Sequence, residues 1–272
     1  MTVLITMAGL GSRFSRDGYS VPKYQVKAHG QSLFSWSLQS LSSYRHQAFV
    51  LATLGSDDAP WLLHEARQIG MADVRVLSRA APSRGQAETA IDALADVDPG
   101  EPLWIYNIDT HVARGMAPEH LAGAQGCLHV FPSESPGMSF VRYGSDGCVA
   151  EVAEKKVISA WASVGMYGFA TAGLFAELYR QGYEEGSITS VGGERYIAPL
   201  YQLLLDRGQA VVAPRLELAD IDVLGTPAEV QRFDPLALPP VGNPDWPRDG
   251  RLPESFRKSI PLSKAGGDAG AA

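Results

Sequence analysis

A short apolar run, Val3-Leu4-Ile5-Thr6-Met7, breaks into Ala8-Gly9-Leu10-Gly11-Ser12-Arg13-Phe14, and Pro22-Lys23 follows closely. The run reads as a strand, and the two glycines allow the sharp backbone turn that leads out of it. Such a turn aims several amide N–H groups at one anion, while Arg13 and Lys23 bring full positive charges to the same place. The N-terminus therefore reads as a strand that opens into a phosphate cradle.

Two familiar phosphate motifs fit poorly. A dinucleotide fingerprint needs a third glycine after Gly9-Leu10-Gly11, but Phe14 stands there, and no acidic residue closes a second strand about 20 residues on. A P-loop would end in Gly-Lys-Ser/Thr, which is absent.

Strand and helix patterns alternate through the first half. Strands are expected over 3–7, 48–54, 74–77 and 103–108. Helices are expected where Phe34, Leu38 and Leu41 share a face, over 58–68 and over 86–95. This alternation implies an α/β fold, a doubly wound and mostly parallel sheet covered on both faces. After Asp109 the rhythm changes to closely spaced strands over 127–131, 139–143, 149–153 and 163–169, with a hairpin at Gly144-Ser145-Asp146-Gly147. A more antiparallel half follows from that spacing. Helical periodicity returns at Ile197, Leu200, Tyr201 and Leu204, stopped by Gly208, and last strands are expected over 210–213 and 219–223. From 234 to 272 Pro, Gly and charge dominate, so this tail is expected to be extended or disordered, with Trp246 and Phe256 able to pin it. The domain is then 1–233, with halves meeting near residue 115.

The formal net charge of −7 leaves no broad positive field for nucleic acid or an anionic membrane, so anionic ligands must be met by local cations. No apolar run approaches the ~20 residues needed to span a bilayer, and the reading is cytoplasmic. Cys127 and Cys148 form no disulfide framework or metal knuckle and read as reduced, structural thiols. The six histidines lack zinc spacing, and His111 reads as an ordinary loop residue.

Ile105-Tyr106-Asn107-Ile108-Asp109 ends a buried-looking strand in a carboxylate, which in an open α/β sheet stands at the crevice beside the strand's carboxyl end. Arg84-Gly85-Gln86-Ala87-Glu88-Thr89 is a glycine turn entering a helix. Later come Glu154-Lys155-Lys156 with Trp161-Ala162-Ser163-Val164-Gly165-Met166-Tyr167, then Gly192-Gly193-Glu194-Arg195-Tyr196, and finally Asp220-Ile221-Asp222-Val223-Leu224-Gly225-Thr226-Pro227.

In this order, from about residue 3 to 233, the set resembles the sugar-phosphate nucleotidyltransferases, or NDP-sugar pyrophosphorylases. The resemblance implies a nucleotide-diphospho-sugar transferase-like (GT-A-like) fold with a nucleotide-binding half and a substrate half. It implies Mg²⁺ as cofactor, an NTP and a small phosphorylated acceptor as partners, and transfer of the nucleotidyl group with release of pyrophosphate. Ala8, Gly9, Leu10, Gly11 and Ser12 would cradle the nucleotide phosphates, with Arg13 and Lys23 catalytic. Asp109 would hold Mg²⁺, joined by Asp222 or, two residues earlier, Asp220. Gln86 would read the nucleobase. Glu154 would bind acceptor hydroxyls, Lys155 or its neighbour Lys156 the acceptor phosphate, with Gly165, Glu194 and Arg195 nearby. Hexose 1-phosphate is the family's usual acceptor, but a phosphorylated amino alcohol, a polyol or a phosphonate suits the same place, and a surface-polysaccharide pathway is one setting the resemblance suggests. A homo-oligomer is left open.

Two rival readings share these residues. A glycosyltransferase of related fold would use Asp109 in its metal motif but needs less of the Gly-Leu-Gly-Ser-Arg cradle, since its donor is a finished NDP-sugar. A noncatalytic nucleotide-binding regulatory subunit would keep the fold and not the chemistry.

Overall fold

The structure is a computed structural model, and it describes residues 1–117, 121 and 123–237. The expectations for the tail beyond 237, including Trp246 and Phe256, lie outside the described residues.

β1 (Thr2–Met7) passes through the glycine turn into α1 (Ser12–Arg16), a 3-10 turn at Lys23–Gln25, and a small hairpin of β2 (Lys27–Ala28) and β3 (Gln31–Ser32). Then come α2 (Leu33–Gln39), β4 (Ala48–Leu54), α3 (Ala59–Gln68), β5 (Val74–Arg79), α4 (Gln86–Asp92), β6 (Leu103–Asn107) and β7 (Thr110–Val112). The second half holds β8 (Gly126–Pro132), β9 (Ser139–Tyr143), β10 (Val149–Glu154), β11 (Trp161–Phe169), α5 (Ala172–Tyr179) with a π turn over Arg180–Glu184, and α6 (Pro199–Asp206). β12 (Val211–Val212), a 3-10 turn at Leu218–Asp220, β13 (Ile221–Val223) and α7 (Pro227–Phe233) complete it.

β5, β4, β1 and β6 lie side by side in parallel register. The chain moves outward from β1 to β4 and β5, then returns to place β6 on the other side of β1. The gap between the carboxyl ends of β1 and β6 is therefore the topological switch point, where an open α/β sheet leaves a crevice. Beyond β6 the sheet turns antiparallel: β11 pairs with β6 over Met166–Phe169, with β8 along its opposite edge, and with β9 at Ala162. β9 and β10 form the expected hairpin.

Side-chain alternation explains why helices cover both faces. Val3, Ile5, Phe49, Leu51, Trp104 and Tyr106 point to the face covered by Phe34 and Leu38 of α2 and by Trp61, Leu62 and Ala66 of α3. Leu4, Val50, Ala52, Leu103 and Ile105 point to the face covered by α4, α5 and α6. Every one of these strand residues is buried, as parallel strands sandwiched between helix layers must be.

Several local expectations are corrected. α4 ends at Asp92 instead of running to residue 95, because Ala93, Leu94 and Val97 turn back through bonds three residues long. The strand expected over 219–223 begins only at Ile221, since Leu218–Asp220 coil into a 3-10 turn, so Asp220 and Asp222 do not share a strand face. Cys148 is not a core thiol; it is exposed, whereas Cys127 is buried in β8. His111 is no loop residue but the middle of β7. Among the described residues no helix is long and apolar enough to cross a membrane.

Candidate active site

The glycine turn is built as its sequence requires. Ala8 is buried at the end of β1, Leu10 is 68% exposed, and Gly11 adopts φ 58°, a left-handed conformation glycine takes without steric penalty. Its carbonyl receives the N–H groups of Phe14 and Ser15 at 2.9 and 3.2 Å, starting α1 with Ser12 and Arg13 exposed at its head. Phe14 is the anchor, buried against Tyr19, Leu33 and Leu224.

Lys23 is positioned by its neighbours. The Tyr24 hydroxyl and the Gln25 amide donate to the two carboxylate oxygens of Asp58, at 2.5 and 2.7 Å, tying the 3-10 turn to the start of α3. Burial, aided by the Asp58 bond, pushes the Tyr24 phenol far up, so it stays a donor. From this turn the Lys23 ammonium, 12% exposed, forms an ion pair with Asp109 Oδ1.

Asp109 lies two residues past β6, and its backbone is fixed on both sides. Its carbonyl accepts from Leu224 N–H at 2.6 Å, and the preceding Ile108 carbonyl accepts from Ser37 Oγ of α2 at 2.9 Å. Its carboxylate is 48% exposed, half open to the crevice. β7 and β13 pair beside it. There Asp222 accepts from His111 Nδ1–H at 2.9 Å, while Asp220 is bound by Arg114 Nε at 3.1 Å and is only 16% exposed.

Among the described residues no three His, Cys, Asp or Glu side chains gather to enclose a metal ion. The donors do suit a hard cation that completes its shell elsewhere: Asp109 and Asp222 are oxygen ligands, 48% and 38% exposed, on adjoining segments, and one or two carboxylates plus substrate phosphates is the usual magnesium arrangement.

The Gln86 amide donates to Thr6 Oγ1 of β1 at 3.1 Å, which holds it at the same sheet end as the cradle. Gly85 before it has φ 131°, and a Cβ there would come within 2.6 Å of the Arg195 backbone. The 192–196 segment thus lies directly on the 84–87 turn, sealed by Arg195 N–H to the Arg84 carbonyl at 2.7 Å and Ala87 N–H to the Arg195 carbonyl at 2.9 Å. The Arg195 side chain turns inward to the Tyr179 hydroxyl at 2.6 Å, a clamp on α5.

On the other wall, Glu154 ends β10 and accepts from Ser139 Oγ at 2.5 Å. Burial pushes its carboxyl above the usual range, with Glu194 adding to that and Ser139 and Lys155 opposing it. Tyr167, whose phenol is pushed up to about 12 by burial and then by Glu154, lies beside Ser139. Lys155 takes a left-handed backbone, φ 53°, and its ammonium donates to the Tyr196 hydroxyl, which donates to Glu194. Lys156 is exposed.

Gly165 sits in an irregular stretch of β11 at φ 84°, and a Cβ there would come within 2.3 Å of the Asn107 side chain. It makes room for Asn107, whose Oδ1 receives Asp109 N–H over a long 3.5 Å. Thr6, Asn107, Ser139 and Tyr196 were not singled out from the sequence. Thr6 and Asn107 face each other near the carboxyl ends of β1 and β6, so their place at strand ends was the one sequence signal for them; Ser139 had none, its partner Glu154 lying 15 residues away, and the Lys155 partner of Tyr196 lies 41 away.

A glycine turn and a lysine-paired carboxylate at the switch point, faced by a second polar wall, mark the place where an open α/β sheet of this class takes its ligand. No protein-family model and no curated protein matches the chain. Among solved structures, it is 31% identical to a nucleoside-diphosphate-sugar pyrophosphorylase from Vibrio cholerae RC9, over 86% of this chain and 99% of that one, with a TM-score of 0.78. An inositol-1-phosphate CTP transferase from T. maritima is 16% identical over 84% of this chain and 90% of its own, TM-score 0.64. A protein described as a glucose-1-phosphate thymidylyltransferase, from Bacillus anthracis, is 15% identical over 87% and 95%, TM-score 0.66. The last two bear on the fold alone. The chain belongs to the sugar-phosphate nucleotidyltransferase family, that of the NDP-sugar pyrophosphorylases.

Proposed function

We propose that this protein is a Mg²⁺-dependent nucleotidyltransferase that joins an NTP to a small phosphorylated acceptor and releases pyrophosphate. The observation that carries this reading is the Lys23–Asp109 pair, which holds a cation and a hard carboxylate together at the mouth of the glycine cradle. Nucleotide phosphates entering the cradle would give Lys23 a stronger partner, and Asp109 and Asp222 would then hold the metal. When bound, Mg²⁺ supplies charge neutralisation on the phosphates.

The residues then act by position and charge. Backbone amides of residues 8–12 hold the phosphate chain, and Gln86, held by Thr6, offers donor and acceptor atoms to the base. Glu154 accepts from acceptor hydroxyls and Lys155 holds the acceptor phosphate. An oxygen of that phosphate attacks the α-phosphorus in line; the new O–P bond forms as the bond from the α-phosphorus to its bridging oxygen breaks, and pyrophosphate leaves with that electron pair. Lys23 meets the charge growing on the departing pyrophosphate, assisted by Arg13. The acceptor phosphate is already ionised near neutral pH, so no residue needs to remove a proton.

The test is pyrophosphate release by the purified chain with Mg²⁺, offering CTP, UTP, dTTP, GTP and ATP against hexose 1-phosphates and small phosphorylated alcohols and phosphonates. Release that requires one NTP and one acceptor is expected. Release from a finished NDP-sugar of its nucleoside diphosphate, or no turnover with any pair, would overturn the reading.

A further inference from the structure

We propose that Tyr196 is a spacer that keeps Lys155 available to an acceptor phosphate by standing between its ammonium and the Glu194 carboxylate, an inference that rests on the acceptor role given to Lys155 above. A hydroxyl donates one hydrogen bond while accepting another. Here both roles are taken, because the ammonium donates to Tyr196 Oη and Tyr196 Oη donates to Glu194. The ammonium also lies 4.1 Å from the centre of the Tyr196 ring.

The backbone on either side of the hydroxyl is anchored. Lys155 is held in its left-handed conformation by its own N–H, which donates to the Met138 carbonyl at 2.9 Å. The Tyr196 carbonyl accepts from Tyr183 Oη at 2.6 Å, and Arg195 next to it is bonded through its backbone to the 84–87 turn. Burial and Glu194 push the phenol well above its ordinary value, so the spacer remains a neutral hydroxyl across the working range.

The consequence follows from charge. Through a shared hydroxyl, Lys155 keeps its full charge and a bond that a dianionic phosphate outcompetes. Without the hydroxyl, Lys155 and Glu194 meet directly, and the phosphate must displace a carboxylate from its cation. Tyr196 is in this sense a positioning residue, acting through Lys155.

The readout is acylation of each lysine in the full chain by acetic anhydride, with and without inorganic phosphate, resolved by mass spectrometry, with exposed Lys156 as internal reference. In the wild type, phosphate should slow Lys155 about fivefold relative to Lys156, the scale of one exposed ion pair. Tyr196→Phe should bring that protection below about twofold, and Tyr196→Phe combined with Glu194→Gln should restore it, both with unchanged melting temperature. Wild-type protection in Tyr196→Phe overturns the proposal. So does a double variant as unprotected as the single one, or protection that falls on Lys156. Because the readout needs no turnover, failure of the pyrophosphate assay counts against the nucleotidyltransferase reading and leaves this comparison standing.

Discussion

Lys23 and Asp109 are 86 residues apart in sequence and form one ion pair. The lysine is largely withdrawn from water and the carboxylate half open to it, so the pair is asymmetric: its loss costs the crevice a fixed cation more than it costs the fold. Lys23→Ala should lower turnover by about 100-fold or more, the usual scale for removing a group that stabilises transition-state charge, and should leave the urea midpoint close to wild type. Asp109→Ala should abolish turnover to the same degree, yet it leaves a withdrawn ammonium unpaired, so Asp109→Asn is the cleaner companion. Steady-state rates of pyrophosphate release check these expectations, and near-normal rates in both Lys23→Ala and Asp109→Asn would remove the pair from the chemistry. The chemical identities of both residues were legible in the sequence, because a glycine turn and a strand ending in Asp carry local signals. Their pairing was not, since Tyr24, Gln25 and Asp58 aim Lys23 through contacts over 30 residues long.

At the scale of elements, the 84–87 turn and the 192–196 loop are one object. The 84–87 turn and the 192–196 segment share two backbone hydrogen bonds and close around Gly85. Gly85→Ala would both strain a φ of 131° and push a methyl into the Arg195 backbone at 2.6 Å. A loss of about 2 kcal/mol or more is expected by chemical denaturation, together with weaker binding of NTP and acceptor alike. A variant with wild-type stability and one affinity unchanged would show that the loops move independently. Most strands and the helices over 33–39, 59–68 and 199–206 were legible from periodicity, because each buries one face. α7 was not expected, although Thr226-Pro227-Ala228-Glu229 has the form of a helix start and Thr226 Oγ1 accepts from Glu229 N–H at 3.2 Å. α5 was missed although Thr171 caps it in the same way, its Oγ1 accepting from Leu174 N–H at 3.0 Å, because Gly173 interrupts the pattern. That glycine is there for close packing: a Cβ would come within 3.0 Å of the Pro99 carbonyl.

At the scale of the whole molecule, the buried sheet also holds a titratable group. His129 of β8 lies beside Trp104 with its ring centre 5.7 Å away, and among the described residues neither ring nitrogen finds a hydrogen-bond partner. Burial lowers its pKa from 6.5 to about 4. Between those values the unfolded chain binds a proton that the folded chain refuses, so stability is fully present above 6.5 and is lost as pH falls toward 4. This group should remove about 2–3 kcal/mol between pH 7 and 4.5, and His129→Leu should flatten that part of the acid limb in urea titrations. An unchanged acid limb would show that His129 protonates without opening the core.

The sequence by itself determined the α/β class, the covered parallel sheet and the chemical kinds of residue at the site, because strand and helix periods, glycine turns and strand-end carboxylates are local patterns set by backbone sterics and burial. Tertiary structure alone decided which of those residues meet. It set Lys23 on Asp109, His111 on Asp222, Tyr196 between Lys155 and Glu194, and Asn107 against Gly165. Those pairings depend on the strand order around β1 and on loops docked across the switch point, and contacts between distant segments leave no period in the chain to read.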